Sequence, residues 1–379
     1  MTHTAELPIL GADLFTFSTN DTARPQINKP RCYTLDPDGD TVLVLKDAPQ
    51  TLPEEVKDLL PTMLNGSAAP DTQPSIKRPL RIRTSSKHLT LASSYFAKML
   101  GGRFREGTQL KSFGCAEIPL DETKVAPFLL LMLIIHGRTT QIPSLLQSTE
   151  TLTDIAVLVD FYGFHDAVDF YARHWILDLA KDLPAASQQL SRTSSVIYAS
   201  SARDWLFISW VFSTESIFRN MSKVLLISSR GDISSDGLPI PDLIIQKINE
   251  ERNRFLERLI EDLNKLQSAV SKGCLFPIRG STNNELCLYT VLGSLTKQMM
   301  DLQLLPSAPT QPFTGLAINQ LLNDCRQKLH SPVITKLYTV EKHDDCALAA
   351  RVKAMLVPHV EPNGLDLNAP DIAMLRQRA

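Results

Sequence analysis

Apolar positions come in short runs through the first part of the chain and settle into long helical periods only later. Thr41-Val-Leu-Val-Leu45 is a branched run set off by Asp36-Pro-Asp-Gly-Asp40, which predicts a turn followed by a strand, with order beginning near Cys32. Leu80-Arg-Ile-Arg-Thr84 predicts the next strand. The proline-rich, polar residues 46–79 between them predict a long insertion, itself a candidate binding segment, with a helical turn or two over Pro53–Leu60. Ser85-Ser86 is expected to cap a short helix carrying Leu89 and Leu91, and Ser93-Ser94 a second carrying Phe96, Met99 and Leu100, ended by Gly101-Gly102, with Leu89, Leu91, Phe96 and Met99 buried against a small sheet. Cys115-Ala-Glu-Ile-Pro119 returns to strand. Asp121 then opens a helix through Ile135 whose continuous apolar character predicts burial on most sides.

Helices follow over Thr151–Tyr162 and His165–Leu179, separated by Gly163, the second with Val168, Tyr171, Trp175 and Leu179 at helical spacing. Beyond Pro184 no strand ladder is evident. Helices are expected over 204–212, 218–228, 242–270, 286–302, 316–329 and 345–356, with the residues after Pro358 frayed. The longest of these places Ile245, Ile248, Phe255, Leu259, Leu263, Leu266 and Val270 on one face. Glu250/Arg254 and Glu261/Lys265 fall on the other as favourably ordered ion pairs. The expected partner of that face is the rest of the C-terminal region, since a coiled coil needs more sustained heptads.

Composition narrows the class. The chain has 379 residues, enough for two or three domains, with 39 Lys and Arg against 41 Asp and Glu and a net charge of −2, so no whole-chain attraction to nucleic acid or anionic lipid is expected. The longest apolar stretch, Phe128–Ile135, is far short of a membrane span. Met1-Thr-His-Thr lacks the features of a secretory leader, and the six dispersed cysteines form no closely spaced disulfide framework. An intracellular protein, cytoplasmic or nuclear, with reduced thiols is expected.

Asp38-Gly-Asp-Thr-Val-Leu-Val-Leu45, Arg81 to Leu100 and Phe104-Arg-Glu-Gly107 together resemble the opening of a BTB/POZ domain of the kind abundant in filamentous fungi. Leu120-Asp-Glu122 leading into Ile134-Ile-His-Gly137, and Leu152 to Trp175 with Val159-Asp-Phe-Tyr-Gly-Phe-His-Asp-Ala167, continue the resemblance in the right order over residues 32–182. Trp205 to Phe212, Gly293-Ser-Leu-Thr-Lys297 and Gly364-Leu-Asp-Leu367 are similar to pieces that trail the domain in fungal members. The resemblance implies an α+β fold in which a small mixed sheet flanked by helices follows a flexible lead-in at 1–31, with a mainly helical region over 183–379. It implies a non-enzymatic protein-interaction module that dimerises through residues 32–182. Two uses are open: a substrate adaptor for a cullin-type ubiquitin ligase, or a dimeric scaffold or transcriptional co-regulator. For the adaptor, Phe104 and Glu106 are the expected partner-binding residues, the aromatic filling an apolar pocket and the carboxylate orienting it. The competing reading makes Phe104 a core cap and Glu106 a solvated loop charge.

Other chemistry is weaker. Asp36–Asp40 has its glycine at the fourth position and no glutamate at the twelfth, which excludes an EF-hand loop. Gly101-Gly-Arg-Phe-Arg-Glu-Gly107 lacks the Lys-Ser/Thr ending and spacing of a phosphate loop. His88 and His136 have no nucleophile pattern near them and are expected to be structural. Lys77-Arg-Pro-Leu-Arg-Ile-Arg83 alternates as one solvated strand face would, and no DNA-binding module accompanies it. Cys274, Cys287, His343 and Cys346 are too widely spaced for a zinc knuckle and read as buried thiols, so neither metal nor cofactor is expected.

Overall fold

The computed structural model describes residues 31–46, 79–121, 123–183, 192–274, 283–331 and 347–376. Residues 47–78 of the expected 46–79 insertion, with the helical turn expected over Pro53–Leu60, and the lead-in to residue 30 lie outside them. The chain is mixed α+β, with thirteen α-helices and one four-stranded sheet among the described residues, in two compact units divided after Asp178.

In the first unit the strands are β1 (Arg31–Thr34), β2 (Thr41–Leu45), β3 (Leu80–Thr84) and β4 (Ala116–Leu120), in the order β1-β3-β2-β4. β2 runs antiparallel to β3 and parallel to β4, while β1 is parallel to β3. The register sets Tyr33, Ile82, Leu43 and Ile118 in one row across the sheet, all buried. The alternation of β3 and β4 decides this, since a one-residue slip would turn each apolar set outward. β2 is buried along its whole length, as an interior strand of the sheet. β1 escaped sequence reading because it is four residues long and polar at its edges; only Tyr33 and Leu35, both buried, mark it.

After β3 the chain forms α1 (Ser86–Ala92), α2 (Ser94–Lys98), a π-helical turn (Met99–Arg103) and α3 (Arg105–Phe113). α3 corrects the expectation that this stretch is loop. It has too few apolar residues for a stripe, but Glu106 in its first turn, Lys111 in its last and left-handed Gly114 as its stop are the signals of a helix. Ser93 separates α1 from α2 and joins them to the core, its hydroxyl donating to the Tyr162 carbonyl at 2.5 Å and accepting Phe96 N–H at 3.0 Å. Leu89 and Leu91 are two residues apart on α1 and so face roughly opposite sides of it, which leaves Leu91, expected inside, 89% exposed while Leu89 is buried, as is Phe96 on α2. α4 (Val125–Ile135) begins four residues later than expected, because Lys124 is still extended, and is buried on nearly every side. α5 (Thr149–Tyr162) and α6 (His165–Leu179) complete the unit. Phe96, Phe128, Tyr162 and Phe164 pack as one aromatic cluster, with Tyr162 within 5.7 Å of each of the others.

Among the described residues, the regular elements of the second unit are helices: α7 (Arg192–Val211), α8 (Glu215–Ser228), α9 (Asp242–Ser271), α10 (Asn283–Asp301), α11 (Ile318–Lys328), α12 (Leu348–Leu356) and α13 (Pro370–Arg376). α7 and α8 make a hairpin around Phe212–Thr214 with Trp205, Phe207 and Phe218 inside. α9 buries Ile244, Ile248, Phe255, Leu256, Leu259, Ile260, Leu263 and Val270. The face is therefore rotated from the expected one, with Ile245 and Leu266 at its margin. Lys265 pairs with Glu261 at 3.0 Å as expected, but Arg254 takes Glu251 rather than Glu250. Arg252 also lies on the buried face. Its guanidinium donates to the carbonyls of Ser229, Pro312, Phe313 and Leu316 at 2.7–3.2 Å, so main-chain dipoles rather than a carboxylate surround the charge. The residues after Pro358 are not frayed: Leu367 and Ile372 are buried and α13 follows.

Candidate interaction site

Phe104 and Glu106 sit where the π-helical turn meets α3. Two glycines make this junction possible. Gly102 has φ +94°, and a methyl at Gly107 would lie 2.8 Å from both the Gly102 Cα and the Leu100 carbonyl oxygen, so backbone packs on backbone. Lys111 Nζ donates to the Gly101 carbonyl at 3.2 Å, tying the far end of α3 to the turn. Phe104 is the N-cap residue, extended at φ −102°, and its carbonyl accepts both Thr108 N–H at 3.0 Å and Thr108 Oγ1 at 3.1 Å. Fixing its backbone leaves its ring 55% exposed. Phe104 is therefore not a core cap. Glu106 lies in the first turn of α3, where the free N–H groups favour a carboxylate, and is half-buried, with no hydrogen bond or ion pair among the described residues. It is not a loop charge, and the whole of α3 lies between Phe104 and β4.

The first unit exposes more apolar surface than these two residues predict. Phe170 is 78% exposed, and Leu91, Phe113, Phe161 and Leu177 are exposed as well. Tyr95 on α2 and Phe161 at the end of α5 lie 5.6 Å apart and form an aromatic pair at the surface. Phe170 and Leu177 are seven residues apart on α6, which sets both on one outward ridge of that helix. The sequence signal for that ridge is a second apolar phase beside the buried Val168, Ala172, Trp175 and Ile176, easily read as core.

The remaining candidates turn inward. The Asp36–Asp40 turn closes on a Gly39 N–H bond to the Asp36 carbonyl at 3.0 Å, and the Asp40 carboxylate accepts Ser86 N–H at 2.7 Å and Ser86 Oγ at 2.6 Å, capping α1 from outside. His136, after α4, accepts Ser85 N–H on Nε2 at 3.2 Å, so its Nδ1–H donates to the Met132 carbonyl at 2.9 Å. The His88 ring lies 4.9 Å away. Burial pushes the His136 pKa below its ordinary value, against the Met132 bond and with help from His88. Arg81 pairs with Glu117 across β2, and Arg83 Nε donates to the Gly39 carbonyl at 2.8 Å, so the basic run holds the sheet together; Lys77 and Arg78 lie outside the described residues. Of the zinc set, Cys287 is buried and Cys274 half-buried, His343 and Cys346 fall outside the described residues, and no cluster of three metal-ligating side chains occurs among those described. Cys325 is buried, and burial first, then Asp324, pushes its thiol up to about 12. In the second unit a cleft beside α9 is lined by Phe255, Arg258, Asp262, Lys265 and His359. Its Asp262 is held below the usual carboxylate range by Lys265 and by His359, 3.0 Å away.

No helix among the described residues is long and apolar enough to cross a membrane. No protein-family model, curated protein or solved structure matches the chain.

Proposed function

We propose that the chain is a protein-protein interaction module of the BTB/POZ type, working as a dimer and without catalysis of its own. One observation carries the reading: the first unit fills its core with an aromatic cluster yet leaves Leu91, Phe104, Phe113, Phe161, Phe170 and Leu177 in solvent. Large exposed apolar side chains on a well-packed unit mark surfaces that other proteins cover. The strand order and the paired short helices after β3 support the BTB/POZ resemblance. Within the reading, Phe104 is the anchor and Glu106 the orienting carboxylate of a contact with a cullin, which makes the protein a ligase substrate adaptor.

The second reading is a dimeric scaffold or transcriptional co-regulator with no ligase role. The half-buried position of Glu106 on α3, away from β4, favours it. Light scattering of the intact chain at micromolar concentration tests the dimer, with a monomer mass across the range as the contrary result. Pull-down of a cullin by wild type and by Phe104→Ala/Glu106→Ala separates the two uses. Loss of capture with unchanged mass and unfolding temperature supports the adaptor, and wild type that captures no cullin supports the scaffold.

A further inference from the structure

The segment between α12 and α13 crosses the second unit as an extended strap with no helix or strand of its own over 359–366. It is held at spaced points. Gly364 lies against the middle of α8 so closely that a methyl there would stand 2.6 Å from the Arg219 carbonyl carbon and nearer still to its oxygen. Leu365 N–H donates to Ser222 Oγ at 2.8 Å, and that hydroxyl donates in turn to the Arg219 carbonyl at 3.0 Å. His359, 3.0 Å from Asp262, and Leu367 and Ile372 are its buried anchors. Acids on the strap and in the first turn of α13 meet cations on α8 and α9: Glu361 with Lys223 at 3.5 Å, Asp366 with Arg219 at 3.7 Å, and Asp371 with Lys247.

We propose that this face of α8 and α9 is a receptor for a linear acidic peptide with a Gly-Leu-Asp-Leu core, occupied in cis by the chain's own strap and open to a partner protein that carries a segment of the same chemistry. The pattern of contacts is that of a bound peptide. A few apolar anchors supply affinity, a row of cations selects acids, and one position admits only glycine because helix backbone lies directly beneath it. The strap's own charges remain partly exposed, and it makes few main-chain hydrogen bonds, which places it among the segments that open locally before the rest of the unit. Nothing in this inference depends on the use made of the first unit.

The test uses the full chain and a labelled synthetic peptide of residues 358–373. A tethered strap competes at an effective concentration of about 1 mM, so a peptide with a Kd of about 10 μM is excluded from wild type about 100-fold. In the full chain carrying Gly364→Ala the strap cannot seat while the receptor face is unaltered, and fluorescence anisotropy should show micromolar binding of the wild-type peptide. The Gly364→Ala peptide should bind neither chain. Adding Lys223→Glu to the Gly364→Ala chain should weaken binding about tenfold, and a peptide with Glu361→Lys should restore it. Asp366→Lys/Asp371→Lys is a second way to release the strap without a steric clash. If neither released chain takes up the peptide, folded or not, the proposal is wrong. Wild type found as dimers that the peptide disperses would also overturn it, in favour of strap exchange between two copies.

Discussion

Replacing Arg252 by methionine removes a buried cation while nearly preserving volume, and the structure says what is lost. The carbonyls of Ser229, Pro312 and Leu316 each lose their donor, whereas the Phe313 carbonyl keeps Leu316 N–H at 3.2 Å. At about 1 kcal/mol for each orphaned acceptor, the low end because carbonyls tolerate under-satisfaction, the loss is about 3 kcal/mol. Relief of the cation's burial offsets part of it; that burial already pushes the Arg252 pKa down. We expect Arg252→Met to destabilise the second unit by about 1–3 kcal/mol. Arg252→Lys should do no better, because one ammonium cannot reach carbonyls on both sides and keeps the desolvation cost. Trp205 and Trp210 are buried in this unit and Trp175 in the other, so urea unfolding by fluorescence in a Trp175→Phe background reports the right unit. A loss below about 0.5 kcal/mol for Met, or rescue by Lys, would refute the carbonyl-cage argument.

Three further outcomes follow from the same geometry. Gly107→Ala should cost about 1–3 kcal/mol, since the added methyl meets backbone on two sides and the turn holding Phe104 must shift; an unchanged melting temperature would show that it does not. Because the folded-state pKa of His136 is lowered, the unfolded chain binds the proton more readily, so stability is whole above the ordinary histidine pKa of about 6.5 and falls as pH drops through that value toward the depressed one. A plot of melting temperature against pH from 7 to 5 should be flatter in His136→Asn than in wild type, and parallel plots would contradict the assignment. Cys325, with its thiol pushed up to about 12, should react with a disulfide reagent at pH 8 only as the second unit unfolds; labelling mapped by mass spectrometry in the native state would show otherwise.

Most of the long helices were legible in the sequence because each carries enough periods for the pattern to survive noise; α7 was the exception, expected only from Asp204 although it begins at Arg192. α6 was expected over the span it occupies, and α9 to within a residue. The phase of a stripe was less secure: Arg252 on the buried face of α9 breaks the apolar pattern, which hides the rotation that brings Ile244 inward. Short elements failed for a different reason. α1 and α2 were expected, but two helices of seven and five residues carry too little period to say which side faces in, and Leu91 was assigned to the core. α3 and the strap have no apolar period at all. Both are held by glycines that let backbone approach backbone, and such an approach depends on a partner segment far away in sequence. Phe104 and Glu106 were proposed from the resemblance; the exposed residues of α6 were not singled out, because an outward apolar ridge beside an inward one looks like a wider core.

The polar residues that looked most like chemistry turn out to hold together the start of α1, and this bears on where function resides. Two N–H groups at that helix start are satisfied from distant segments: Ser86 by Asp40, in the turn before β2, and Ser85 by His136, after α4. Neither acceptor is free for acid-base work without uncapping the helix. Arg138, two residues beyond His136, donates to the Leu35 carbonyl at 2.5 Å and so fixes the chain entering the same turn. Asp40, His136 and Arg138 therefore join β2, α1 and α4 into one rigid frame, and α2, the π-helical turn and α3 follow from it in series. Loosening the frame by His136→Asn should move Phe104 without touching it. The variant that flattens the pH profile should also weaken any partner held through Phe104, and by more at pH 7, where wild-type His136 accepts the Ser85 bond, than at a pH below its lowered pKa, where protonation removes that acceptor in wild type too. Equal loss of binding at both pH values would separate the frame from the site.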